Sequence, residues 1–92
     1  MFAVTRLRVS GADAGALTAA VDVLLAALAA RPGWCGGEVG QAADDPSLWA
    51  VVTRWDGVGA YRRALSAAEV QVAGAPVWVH ALAEPGAYLP PG

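Results

Sequence analysis

The sequence predicts an α+β fold in which one four-stranded antiparallel sheet carries its helices on one face. Three observations carry that prediction. Residues 2–9 and 48–55 have the composition and the face-to-face alternation of half-buried strands. Between them Leu17, Val21, Leu24 and Leu28 recur at spacings of four, three and four, the apolar stripe of an amphipathic helix. A turn-rich run, Asp44-Asp45-Pro46-Ser47, then joins two further extended segments as an antiparallel hairpin.

The elements follow in order. In the first strand Phe2, Val4, Arg6 and Arg8 share one face, and Ala3, Thr5, Leu7 and Val9 the other. Ser10-Gly11-Ala12-Asp13 has the form of a capping box with Asp in place of Glu, and opens the first helix. Arg31-Pro32-Gly33 ends it, because Arg31 suits the negative end of the helix dipole and proline cannot continue the ladder. The second strand, Trp34 to Ala42, is interrupted by Gly36, Gly37 and Gly40, which predicts bulges or the close approach of another group. In the third, Trp49, Val51, Thr53 and Trp55 point one way and Leu48, Ala50, Val52 and Arg54 the other.

A short helix then runs to Leu65, with Asp56 as its candidate cap. Ser66-Ala67-Ala68-Glu69 reads as a second capping box, starting a helix that ends near Gly74-Ala75-Pro76. Residues 77–82 fit either a strand or one helical turn before a last strand at 86–89; periodicity does not separate the two over six residues. The order is β-α-β-β-α-β, the ferredoxin-like split plan, in a single domain over residues 1–92. Its second sheet face would be bare, exposing Phe2, Val4, Leu48, Ala50 and Val52. Pairing two such faces back to back would bury them, which predicts a homodimer. Arg6 and Arg54 lie on that face, and Glu38 is the expected partner of one of them.

Composition narrows the function. Of the 92 residues 57% are hydrophobic, but 22 are alanine, so the core is smaller than that figure suggests. Lys, Ile and Asn are absent. The six basic residues are scattered arginines in a chain of net charge −2, with no basic stripe for nucleic acid. A lone Cys35 allows no internal disulfide and no cysteine-rich metal site, and fits a reducing cytoplasm. With one His and scattered carboxylates, no metal-ligand set is recognisable. The longest apolar stretch, 16–30, is too short to span a bilayer and contains Asp22, so a cytoplasmic protein without membrane attachment is expected. Gly57-Val58-Gly59 lacks the third glycine and the lysine of a phosphate loop.

The candidate site is aromatic. Four tryptophans are many for so small a domain, and Trp49 and Trp55 share one strand face with Thr53. Such a cluster offers a flat apolar wall with N–H donors, suited to a planar aromatic ligand; an aromatic-rich core with no ligand fits the spacing equally. Trp34 and Trp78 are candidate pocket lining, and Tyr61 could aim its hydroxyl into the same space. His80 is the one side chain whose ordinary pKa suits proton transfer near neutrality, and so is a candidate catalytic group. Cys35 has no neighbouring activator, and the adjacent Asp44 and Asp45 diverge as turn residues.

The chain resembles the antibiotic biosynthesis monooxygenase family in Phe2-Ala3-Val4-Thr5-Arg6, Ala29-Ala30-Arg31-Pro32-Gly33, Asp44-Asp45-Pro46-Ser47-Leu48-Trp49 and Val51-Val52-Thr53-Arg54-Trp55-Asp56, with Tyr61-Arg62-Arg63-Ala64-Leu65 following. The resemblance implies a dimeric α/β barrel with a pocket between each sheet and its helices. It also implies cofactor-free oxygenation of an aromatic or polyketide-like substrate, with Trp55 at the active site and its indole N–H as a donor. The asparagine that several such enzymes carry on the first strand is Thr5 here. The position of the histidine used by haem-degrading members falls around Gly74, so haem is not expected and no cofactor is called for. Two functions follow: a cofactor-independent monooxygenase, with Trp55 and His80 catalytic and Thr5, Trp34, Trp49, Thr53, Tyr61 and Trp78 binding substrate, or a non-catalytic dimeric module binding an apolar small molecule.

Overall fold

The computed structural model describes residues Met1–Gly92. Its elements are β1 (Phe2–Arg8), α1 (Ala14–Ala29), β2 (Trp34–Ala42), β3 (Asp45–Trp55), α2 (Val58–Ser66), α3 (Ala68–Trp78) and β4 (Ala87–Tyr88). The sheet is antiparallel in the order β2-β3-β1-β4, as the ferredoxin-like plan requires, with a third helix beyond that plan. The central pair sets the geometry of everything above it. Ala3 lies opposite Thr53, Thr5 opposite Val51, and Leu7 opposite Trp49. All of these face the helices, and Phe2, Val4, Leu48, Ala50 and Val52 face away, as the alternation predicts. The stripe Leu17, Val21, Leu24 and Leu28 is the buried face of α1, and it closes the core against β1, β3 and α3.

The ends of the elements differ from the sequence reading. The hairpin turn is Ala43-Asp44, tighter than expected, and Asp45 already pairs with Ala42. The residues expected to turn form instead a bulge between Gln41 and Ala42, whose Pro46 carbonyl accepts from Gln41 Nε2 at 2.8 Å and Trp49 Nε1 at 3.1 Å. A second irregularity falls between Trp34 and Gly36, within the glycine-interrupted strand. Neither capping box forms. Ser10 Oγ donates to the Asp13 carboxylate at 3.0 Å rather than accepting from a backbone N–H, and Ser66 Oγ donates back to the Arg62 carbonyl at 3.0 Å from inside α2. Asp56 does not cap α2, whose N-cap is Gly57; Asp56 Oδ1 accepts from Cys35 Sγ at 3.3 Å.

Helix α3 continues through Pro76 to Trp78, past the predicted stop. A proline inside a helix costs about 3 kcal/mol or more. Here it lies on the exposed side, while Val77 just beyond it is 1% exposed and Trp78 packs against the core. Burying those two side chains, at about 1.5–3 kcal/mol for a fully buried Val, offsets the lost hydrogen bond. Residues 77 and 78 therefore take the helical alternative. Residues 80–82 then pair with β1 in strand fashion, Arg8 N–H donating to the His80 carbonyl and Leu82 N–H to the Arg6 carbonyl, both at 2.9 Å. The last strand is two residues long. It is held to β1 by Val4 N–H donating to the Gly86 carbonyl at 2.7 Å and by a bidentate Arg6–Glu84 pair at 2.6 and 2.7 Å. Glu38 meets Arg54 only at 4.0 Å, so Arg6 finds its partner in the tail. Gly33, at φ +89°, makes the turn from α1 into β2, where a side chain would strike Ala60. No helix is long and apolar enough to cross a membrane.

Candidate active site

A cavity of about 280 Å³ lies between the sheet and the helices. The floor explains why it exists. Next to the bulky Leu7–Trp49 pair, the central strands present Ala3, Thr5, Val51 and Thr53 toward the helices, and these residues are too short to reach the layer above. Leu24 and Leu28 of α1, Tyr61 and Leu65 of α2, and Gln71, Val77 and Trp78 of α3 make the walls and roof. Trp78 can lie over α3 because residue 74 is glycine; a Cβ there would fall within the indole ring.

The polar groups on this apolar lining are the Thr5, Thr53 and Tyr61 hydroxyls, the Gln71 amide and the Trp78 indole N–H. Of these only the Thr53 oxygen takes part in a side-chain hydrogen bond within the chain. It accepts from Trp55 Nε1 at 2.9 Å. Burial pushes the Tyr61 phenol above its ordinary range, so it remains a donor through neutral pH. The lining holds no carboxylate, imidazole or amine.

The structure places the other sequence candidates around this space rather than in it. Trp55 is buried behind the wall, edge-to-face with Trp34 at 5.4 Å and tilted against Tyr61 at 6.1 Å. Trp49 is buried, its N–H committed to the Pro46 carbonyl, and it borders a separate groove with Thr18, Val39 and Gln41. His80 is outside the cavity, in a groove with Asp13, Leu17 and Pro76. Thus Thr5, Thr53, Tyr61 and Trp78 meet at one cavity, Trp55 and Trp34 stand behind it, and Trp49 and His80 lie elsewhere. Sequence reasoning missed Gln71, Leu65 and Val77 as lining. Leu24 and Leu28 carried a signal, being already in the stripe that must face the sheet; Gln71, in the first turn of a short helix beside Glu69, carried none.

Two further groups are accounted for. The exposed Cys35 thiol is held in its protonated form, chiefly by its hydrogen bond to Asp56. No side chain lining the cavity offers an imidazole, thiol, thioether or carboxylate to iron, and the Gly74 position is covered by Trp78.

The family model described as antibiotic biosynthesis monooxygenase matches residues 1–75. Among solved structures, SnoaB, a cofactor-independent oxygenase from Streptomyces nogalater, superposes with a TM-score of 0.77 at 21% identity, over 88% of this chain and 82% of that one. A protein from Mycobacterium tuberculosis gives 0.78 at 18% identity, over 99% and 94%. A conserved protein from Methanosarcina mazei gives 0.78 at 13%, over 94% and 84%. No curated protein matches the chain.

Proposed function

The chain belongs to the antibiotic biosynthesis monooxygenase family, and we propose that it is a cofactor-independent monooxygenase acting on a small hydroxylated aromatic or polyketide-like molecule. The observation that carries this reading is the cavity itself: apolar floor and roof, with hydroxyl, amide and indole donors left uncommitted along it. At about 280 Å³ it lies just below the roughly 300–1,000 Å³ of small-molecule sites, which suits a compact planar ring system. Likeness to SnoaB, named as a cofactor-independent oxygenase, supports the same chemistry.

The reaction asks little of the protein beyond positioning and charge stabilisation. A ring CH₂ activated by a conjugated carbonyl loses a proton, leaving an enolate-like carbanion. That anion reduces O₂, one oxygen atom bonds to the carbon, and loss of water from the hydroperoxide leaves a new carbonyl. The peroxide anion takes up a proton from solvent to become the hydroperoxide, and the second CH₂ hydrogen leaves with its hydroxyl as water. No lining side chain is a base near neutrality, so the first proton passes to solvent. The chain contributes Thr5, Thr53, Gln71 and Tyr61 as donors to the oxyanion within a low-dielectric wall. His80 has no part in this scheme.

The absence of a base in the lining also favours the second reading, a binding module without turnover. A dihydroxyanthrone separates the two. Oxygen uptake with carbonyl formation, rising with pH as the bound substrate ionises, is expected of the enzyme. Saturable quenching of tryptophan fluorescence without oxygen uptake would leave the binding module. The bare sheet face supports pairing with a second copy, so the working form in this proposal is a homodimer with one cavity per chain.

A further inference from the structure

Trp55 does not line the cavity, yet its only side-chain hydrogen bond ends on a residue that does. The indole Nε1 donates to Thr53 Oγ1 at 2.9 Å, and the two residues are 3% and 5% exposed. The ring cannot easily turn away, with Trp34 edge-on to it and Tyr61 tilted against it. A threonine hydroxyl has one proton and two lone pairs and normally rotates to suit its surroundings. Here a lone pair is occupied from behind, and the hydroxyl proton has no acceptor within the chain.

We propose that Trp55 is a positioning residue that orients Thr53 as a donor into the cavity, so that the cavity takes the ionised form of a hydroxylated aromatic in preference to the neutral form. A freely rotating hydroxyl could turn a lone pair toward the ligand oxygen; one already accepting the indole N–H is biased toward presenting its proton. No charge in the lining opposes an anion, since Tyr61 is the one titratable group there and stays protonated. This inference rests on reading the cavity as an aromatic-binding site, and it assigns that site a charge preference.

The test uses para-nitrophenol, whose anion is coloured, beside nitrobenzene, which has no proton to lose. In the native protein the bound phenol is expected to ionise at lower pH than in water. Thr53→Val should reduce that shift by at least as much as Trp55→Phe does, Thr53→Ser should keep it, and Trp55→Phe should cut the preference for anion over neutral form on the order of tenfold while leaving nitrobenzene affinity within about twofold. An independent readout needs no ligand: Thr53→Val should move the Trp55 indole N–H resonance and speed its exchange, and Thr53→Ser should restore both. If nitrobenzene and the phenol both bind but the phenol's ionisation is unshifted, or Trp55→Phe matches the native protein, the positioning role is overturned and the cavity reading survives. If neither compound binds, the cavity reading falls and this inference with it.

Discussion

Tyr61 shows how a single residue's surroundings define its use. Tyr61 lines the cavity while its ring rests against Trp55, and burial holds the phenol protonated beyond its ordinary pKa of about 10. It therefore serves as a donor and not as a base. Tyr61→Phe removes one hydrogen bond worth about 1 kcal/mol, so affinity for a dihydroxyanthrone should fall about fivefold with the fold unchanged. The sign of the pH effect follows from the raised pKa. The folded state holds the proton more tightly than the unfolded chain, so this contribution to stability is complete below about pH 10 and is lost as pH rises toward the folded value. Denaturation midpoints of the native protein should drop more steeply above pH 10 than those of Tyr61→Phe. Alternation along two strands was enough to place Thr5, Thr53 and Trp55 on the helix side. It could not show that Trp55 spends its N–H on Thr53, because the indole's orientation is set by Trp34 and Tyr61 packing on it from other elements, nor that His80 faces a different groove.

At the level of elements, the first helix and the central strands were legible because their apolar residues repeat at a fixed period over many residues. Their ends were not, since Ser10 and Ser66 have the right residue types for caps and make other hydrogen bonds instead. Helix α3 is the informative failure. Read locally, Gly74 and Pro76 end a helix; in the fold, Val77 and Trp78 gain enough from burial to carry it onward, and the glycine is there to accommodate the Trp78 ring. The element's shape and the cavity's roof are thus one feature. Gly74→Ala gains helix propensity of about 1 kcal/mol but forces the indole to move, at about 1–3 kcal/mol for an overpacked contact. A net loss of stability is expected in urea denaturation, together with weaker nitrobenzene binding because the displaced ring reshapes the roof. Unchanged binding by a stably folded Gly74→Ala protein would show that Trp78 does not shape the ligand space.

At the scale of the whole molecule, the two faces of the sheet divide the work. Thr53 faces the cavity and Val52, its neighbour, faces out, with Phe2, Val4, Leu48 and Ala50 on the same outer surface. Phe2 is 45% exposed and stacks on Tyr88 at 5.2 Å, and Leu89 beyond it is 60% exposed, so the apolar area continues across β4. A 92-residue chain has little core to spare, and a second copy laid on this face would bury what one copy leaves in water. The polar rim is suited to such pairing, because Arg6 and Arg8 are already matched by Glu84 and Asp45, and Arg54 has Glu38 at 4.0 Å as its partner. Sedimentation at micromolar concentration should give twice the 9.3 kDa chain mass. Val52→Asp, placing a carboxylate in mid-sheet, should give the single-chain mass. Since the cavity lies on the opposite face, a folded Val52→Asp monomer should retain nitrobenzene binding within about twofold. A native protein that sediments as one chain would remove the homodimer, and loss of binding in the folded monomer would mean that the partner helps to shape the cavity through the sheet.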